Sequence, residues 1–108
     1  MNLDRQIRIL VAEEDPIFLK MIEDSLRESS YPYHIEKVSS GGECLRKLQT
    51  KQFDILLLDH HLPDGEGLDW LRRFNEVGLA IPTVFVTTTG DPRLAIEVMK
   101  EGVFDYIN

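Results

Sequence analysis

Acidic side chains follow two apolar runs of the chain, and a hydroxyl group follows a third. Glu13 and Glu14 come directly after IRILVA, Asp59 ends FDILLLD, and Thr87 comes after TVFV. If the first two runs are neighbouring strands, three carboxylates and a hydroxyl group converge on one small area. Like charges that close raise one another's pKa unless a cation intervenes. Mg²⁺ takes one or two carboxylate oxygens and keeps several waters, so these residues indicate a binding site for that ion.

The apolar runs alternate with segments of helical periodicity. Strands are predicted at Ile7–Ala12, Tyr33–Val38, Phe53–Asp59, Thr83–Thr87 and Phe104–Ile107. Helices are predicted from Pro16 to Ser29, from Ser40 to about Thr50, from Gly67 to near Gly78, and from Pro92 to Glu101. This βαβαβαβαβ order predicts a mainly parallel sheet with right-handed crossovers. Ligands of such a sheet bind at the carboxyl ends of its strands, near the point where strand order reverses.

Local signals mark the starts of three predicted helices. Asp15–Pro16 and Asp91–Pro92 each place an N-cap acceptor before a proline at the first helical position, where a missing N–H does no harm. Ser40 and Glu43 have the spacing of a capping box. We therefore expect these three helices to begin at Pro16, at Ser40 and at Pro92.

Composition limits the class of protein. A chain of 108 residues with a net charge of −7 is long enough for one domain, and its negative charge argues against binding nucleic acid. No apolar run approaches the ~20 residues that span a bilayer, and the first residues lack a secretory signal. Cys44 is the single cysteine, so no internal disulfide is possible, and we expect it to be a buried small hydrophobe. These features favour a cytoplasmic protein with no membrane partner.

The chain resembles the receiver domain of two-component response regulators. The matching features are the acidic pair Glu13–Glu14 followed by Asp15–Pro16, the run DHHLPDGEGL from Asp59, VTT at 86–88 and FDYI at 104–107. They occur in the family's order and cover essentially the whole chain. The resemblance implies a flavodoxin-like, doubly wound α/β fold: a five-stranded parallel sheet of order 2-1-3-4-5 in three α/β/α layers.

The resemblance also implies a phosphoacceptor site. Asp59 would accept a phosphoryl group from the phosphohistidine of a sensor histidine kinase or of a phosphotransfer protein. Mg²⁺ would be held by Glu14, by Asp59 and by the backbone carbonyl of His61, with Glu13 assisting through water. The cation would offset charge on the phosphoryl oxygens, and the protein would otherwise act by positioning the reacting groups.

Two further residues would transmit the signal by this resemblance. Thr87 would turn inward to hydrogen-bond the phosphoryl group, and Tyr106 would move with it, changing the surface around the fourth helix and fifth strand. Taken alone, Thr87 is also an ordinary β-branched strand residue, and Tyr106 is an ordinary packed aromatic. The family's role is that of a signalling domain rather than an enzyme, with an output domain downstream.

The sequence departs from the family pattern in two places. The second acid of the pair is commonly aspartate, whereas Glu14 carries an extra methylene group that shifts the carboxylate, and Mg²⁺ tolerates misplaced ligands poorly. The chain also ends at Asn108, just before the position of a family lysine and before the fifth helix. We therefore expect residues 1–108 to be a receiver domain truncated after strand five, with apolar surface exposed beside the first helix.

Other functions remain open from the residues. Glu13 and Glu14 also fit a solvated acidic cluster at a helix N-terminus. A pseudo-receiver that only binds other proteins is slightly favoured by the glutamate pair, while Asp59 and Thr87 argue against it. A flavodoxin-like cofactor site would need a phosphate-cradling loop where the chain has the anionic EEDP. A metal-dependent phosphatase would need a second acid where His61 stands.

The residues after Asp59 are expected to have structural roles. His60 and His61 are adjacent in an extended segment, so their side chains should diverge and not bind a metal together. Pro63 and Gly65 are expected to shape the loop, and Trp70 is expected to pack on or lie along the third helix.

Overall fold

The computed structural model describes residues 6–28, 30–88 and 90–107. The strands are β1 (Ile7–Ala12), β2 (Tyr33–Val38), β3 (Ile55–Asp59), β4 (His61–Leu62), β5 (Gly65–Glu66), β6 (Thr83–Val86) and β7 (Asp105–Ile107). The helices are α1 (Pro16–Arg27), α2 (Gly41–Thr50), α3 (Gly67–Glu76) and α4 (Pro92–Lys100). All nine predicted elements are present with bounds shifted by two residues or fewer, except that Ser29, the predicted end of the first helix, lies outside the described residues. The two-residue strands β4 and β5 were not predicted.

Five parallel strands form the main sheet in the order β2-β1-β3-β6-β7. This is the order that the resemblance implies, since β6 and β7 are the fourth and fifth strands of the sheet along the chain. Ala12 pairs with Leu58, and Asp59 pairs with Val86, so the ends of β1, β3 and β6 lie side by side. The strand order reverses between β1 and β3, where the sequence places its acids.

Helices cover both faces of the sheet unequally. Right-handed crossovers place α1 on one face and α2, α3 and α4 on the other. Leu56 and Leu58, on the three-helix face, are 1% and 0% exposed, whereas Ile55 and Leu57 point the other way and are only half-buried. Among the described residues of α1 none is buried, and Ile17 is 72% exposed. The side of the molecule near α1 therefore exposes apolar surface, as the sequence predicts.

The predicted helix caps are confirmed. Asp15 accepts a hydrogen bond from the N–H of Ile17 at 2.9 Å, and Asp91 accepts one from the N–H of Arg93 at 2.9 Å. Ser40 Oγ accepts from the N–H of Glu43 at 3.1 Å. Each bond satisfies an N–H that has no partner inside its helix, so each helix starts where its local sequence directs.

The chain makes a tight connection between β3 and α3. The N–H of Gly67 donates to the carbonyl of His60 at 2.6 Å, and a Cβ atom on Gly67 would lie only 2.2 Å from the carbonyl oxygen of Asp59. A larger residue would push α3 away from the end of β3. Between the two elements, β4 and β5 form a small antiparallel hairpin in which His61 pairs with Glu66.

No helix in the described part of the chain is both long and apolar enough to cross a membrane. Cys44 is fully buried in α2, and burial, followed by the charge of Asp64, raises the pKa of its thiol to about 12. Its role as a small hydrophobe of the core is confirmed.

Candidate phosphoacceptor site

A cavity of about 590 Å³ opens at the carboxyl ends of β1, β3 and β6. The polar residues that line it include Glu13, Glu14, Asp59, Thr87 and Thr88. The predicted convergence of three acids with a hydroxyl group is therefore confirmed. It depends on the pairing of β1 with β3, because residues 46 positions apart in sequence reach the same edge only through that pairing.

Glu13 and Asp59 form a hydrogen-bonded pair of carboxyl groups. Glu13 is 7% exposed, and its Oε1 atom also accepts from the N–H of Asp15 at 3.0 Å. Burial, together with the nearby charge of Asp59, raises the pKa of Glu13 to about 7 although the bond from Asp15 lowers it. The bond between the two carboxyl groups raises the pKa of Glu13 and lowers that of Asp59, while burial raises the pKa of both.

Asp59 is half-buried at the end of β3. Burial raises the pKa of its carboxyl group, whereas hydrogen bonds from the backbone N–H of His61 and from Glu13 lower it. The net pKa lies above the ordinary value for aspartate. The backbone of the segment after β3 thus already contacts the carboxylate that the sequence singled out.

The donor atoms of the site are oxygens, the type of ligand that a hard cation binds. Glu13, Glu14 and Asp59 offer only oxygen, and two of these carboxyl groups share a proton that a divalent ion can replace. Within the described ranges, no group of three or more acidic, histidine or cysteine side chains is arranged to enclose a metal by itself. Mg²⁺ needs only one or two carboxylates. Glu14, which is exposed and is not part of the Glu13–Asp59 pair, lines the same cavity.

Thr87 and Tyr106 occupy different places relative to the cavity. Thr87 is 3% exposed, lines the cavity and donates its N–H to the carbonyl of Ile107 at 2.9 Å. Tyr106 is half-buried and does not line the cavity; its ring stacks on Phe85 with centroids 6.0 Å apart and an interplanar angle of 6°. Backbone pairing therefore connects the two residues, although their side chains lie in different surroundings.

The two histidines do not diverge as the sequence predicted. His60 is buried against Phe85, whereas His61 is exposed and lines the cavity, yet their ring centroids are 4.7 Å apart. The expectation was wrong because the chain bends at His60, between β3 and β4. Among the described residues, Nδ1 of His60 has no hydrogen-bond partner, and burial lowers the pKa of this ring.

Sequence reasoning missed the apolar part of the cavity and one acid beside it. Phe18 and Leu62 line the cavity, and the carboxylate of Asp64 binds the start of α2 across the molecule. Phe18 shows only helical periodicity in the sequence, and Asp64 sits in a stretch with ordinary turn composition, so neither carries a local signal of its contacts.

The family model of the response regulator receiver domain matches residues 9–108. The chain belongs to this family. The match includes every strand end that forms the cavity, from Glu13 to Thr87. The expected resemblance and the flavodoxin-like fold are thereby confirmed.

Curated relatives of this receiver domain share about a quarter of their aligned residues with it. ZraR of Klebsiella oxytoca, a transcriptional regulatory protein, is 26% identical over 102 residues, which are 94% of this chain and 23% of ZraR. TrcR of Mycobacterium tuberculosis, also a transcriptional regulatory protein, is 29% identical and is covered to 38%. The two-component response regulator ARR11 of Arabidopsis thaliana is 27% identical and is covered to 19%. The chain thus spans well under half the length of these relatives.

Solved structures have the same fold as this receiver domain. The phosphorylated cyanobacterial phytochrome response regulator RcpA superposes with a TM-score of 0.86 at 22% identity, covering 96% of this chain and 81% of RcpA. A response regulator receiver domain protein from Methanospirillum hungatei gives a TM-score of 0.80 at 25% identity, covering 95% and 81%. The Mn²⁺-bound form of response regulator Rcp1 gives 0.86 at 22% identity, covering 94% and 79%.

Proposed function

We propose that this receiver domain accepts one phosphoryl group on Asp59 from the phosphohistidine of a sensor histidine kinase or of a phosphotransfer protein. A carboxylate oxygen of Asp59 attacks phosphorus, an O–P bond forms as the P–N bond breaks, and the imidazole leaves with the electron pair. The observation that supports this most strongly is the contact between Asp59 and Glu13 inside a cavity that Glu14 and Thr87 also line.

The hydrogen bonds that the Asp59 carboxylate accepts suit this reaction. Asp59 must be ionised to attack, and the hydrogen bond from Glu13 lowers the pKa of Asp59. The backbone N–H of His61 orients the same carboxylate by donating to it. Both pKa values are raised by burial, so the site favours an added positive charge.

Glu14, Asp59 and the backbone carbonyl of His61 would hold Mg²⁺, with Glu13 contributing through water. When bound, the ion supplies positive charge that offsets the charge on the phosphoryl oxygens. The Mn²⁺-bound form of Rcp1 supports a divalent ion in this family. The longer side chain of Glu14 predicts weaker binding than an aspartate in its place would give.

Thr87 connects phosphorylation to the surface of the domain. Its hydroxyl group binds the phosphoryl oxygens, and its N–H is bonded to Ile107, the residue after Tyr106. A movement of Thr87 toward the cavity therefore pulls on β7 and disturbs the stacking of Tyr106 on Phe85. The surface formed by α4 and β7 changes as a result, and an output domain reads that change. The receiver domain acts as a signalling module and not as an enzyme with a separate substrate.

The experiment is phosphorylation by acetyl phosphate with Mg²⁺, followed by intact mass measurement. We expect one phosphoryl group per chain, attached by a bond that resists acid and is cleaved by hydroxylamine. Asp59→Asn should abolish labelling while the fold is retained, because the amide has the same shape and can still bond Glu13. Asp24→Asn on the surface of α1 is the matched control and should label normally.

Labelling that survives in Asp59→Asn would overturn the assignment of Asp59. A folded wild-type protein that is never labelled, at any Mg²⁺ concentration, would instead favour the pseudo-receiver that acts only by binding other proteins.

A further inference from the structure

The hairpin of β4 and β5 carries the backbone that contacts Asp59. His61 lies in β4 and donates its N–H to the Asp59 carboxylate. Each strand of this hairpin has two residues, and a hairpin that small is not stable by itself in water. Some contact outside the hairpin must therefore hold His61 in place.

Leu62 of β4 is buried in the core, and Asp64, at the tip of the hairpin, makes a second, polar contact. One oxygen of its carboxylate accepts from the N–H of Gly41 at 2.8 Å, and the other accepts from the N–H of Gly42 at 2.9 Å. The indole N–H of Trp70 donates to the same side chain. Both glycine N–H groups belong to the first turn of α2, where they have no partner within the helix and where a negative charge is stabilised by the helix dipole.

Helix α2 does not depend on Asp64 for its local cap. Ser40 already caps it by accepting from the N–H of Glu43 at 3.1 Å. The bonds to Asp64 differ because they connect residues 22 and 23 positions apart. They join the tip of the hairpin to a helix that is anchored in the core by Cys44 and Leu48.

Trp70 makes the connection rigid. Its ring fills the space beside Gly41 so closely that a Cβ atom there would lie 2.1 Å from the indole ring. The ring also lies beside Gly65, whose φ of 138° suits only glycine. The start of α2, the tip of the hairpin and the first turns of α3 therefore pack as one unit around Asp64.

We propose that Asp64 is a positioning residue for the phosphoacceptor site: by binding the start of α2, it holds the backbone of His61 against Asp59. This inference rests on the proposed function, since it assigns Asp64 a part in the same reaction. Asp64 is not among the residues that line the cavity, so its effect is transmitted through the hairpin.

The test compares Asp64→Ala with Ser40→Ala, because each removes one cap of α2 and only the first releases the hairpin. In Asp64→Ala we expect faster hydrogen exchange of the His61 amide. We also expect labelling by acetyl phosphate to slow, or the Mg²⁺ concentration for half-maximal labelling to rise, by about tenfold. Ser40→Ala should match the wild type in both measurements. If Asp64→Ala does not fold, Asp64→Asn, which keeps one acceptor oxygen, takes its place.

Equal exchange of the His61 amide in the two variants, or equal labelling, would overturn the inference and leave Asp64 as an ordinary helix cap. The exchange measurement needs no phosphorylation. A wild-type protein that is never labelled would therefore count against the proposed function, while the exchange comparison would still decide whether Asp64 holds the hairpin.

Discussion

The carboxyl groups of Glu13 and Asp59 are hydrogen-bonded to each other at the adjoining ends of β1 and β3. Two acids can share a proton in this way only while one of them is protonated. The pair is therefore stable at low pH. Once both groups ionise, repulsion between the two charges destabilises it, unless a cation enters the cavity.

This relationship predicts that Glu13→Gln stabilises the protein at high pH in the absence of divalent cations. The pKa of Glu13 is raised to about 7 from an ordinary 4.5, so its ionisation penalises folding increasingly as pH rises from about 4.5 to 7. Glutamine keeps the shape and a donor for Asp59 without the charge. We expect a gain of about 1–3 kcal/mol in the free energy of unfolding at pH 8, shrinking to little at pH 4.5, by urea unfolding with EDTA.

Glu14→Gln is the control for that experiment, because Glu14 lines the same cavity but is exposed. Its effect on stability should be small at both pH values. A Glu13→Gln gain that does not depend on pH would contradict the shared proton.

The low pKa of Glu36 predicts that the free energy of unfolding falls at low pH. Hydrogen bonds from Lys47 and Lys51, at 2.9 and 3.0 Å, lower its pKa to about 2 against the cost of burial. A depressed pKa stabilises the fold above the unfolded value near 4.5, and that contribution is lost as pH falls toward 2. Glu36→Gln should therefore cost about 1–3 kcal/mol at pH 7 and progressively less between pH 4.5 and 2. Acid unfolding followed by circular dichroism measures this, with Glu28→Gln at the exposed end of α1 as the control.

Adjacent glycines at the start of α2 should respond in opposite ways to alanine. A Cβ atom on Gly41 would lie 2.1 Å from the ring of Trp70, whereas one on Gly42 would meet its nearest neighbour, an oxygen of Asp64, at 3.4 Å. Gly41→Ala must displace Trp70 and should lower the free energy of unfolding by about 1–3 kcal/mol. Gly42→Ala should leave it unchanged or raise it by up to about 1 kcal/mol. The fluorescence of Trp70, the single tryptophan, reports both unfolding in urea and any shift of the ring. Equal losses in both variants would mean that Trp70 does not limit the space.

Thr87→Val should separate labelling from signalling if the proposed function holds. Valine keeps the shape and the backbone N–H bond to Ile107 but removes the hydroxyl group. We expect Asp59 still to be labelled, while the NMR shifts of Tyr106 and of other β7 residues change far less on phosphorylation than in the wild type. Thr88→Val, at the exposed neighbouring position in the same cavity, should respond like the wild type.

The sequence by itself determined the elements and their layers. The alternation of apolar runs with helical patterns, the caps at Asp15, Ser40 and Asp91, and the family motifs predicted the strand order and the position of the site. These features are readable because each depends on a residue and its near neighbours: a cap bonds an N–H two or three positions away, and a buried strand needs an apolar run.

Only the tertiary structure decided how the site is held and charged. The raised pKa of Glu13 depends on its burial, which neighbouring elements impose, and Asp64 binds Gly41 because the hairpin lies beside the start of α2. The contact between His60 and His61 follows from the bend at His60. The two-residue strands β4 and β5 that follow it are too short to show a pattern in the sequence. Such contacts join residues far apart along the chain, and packing of the whole domain sets their distances and their pKa values.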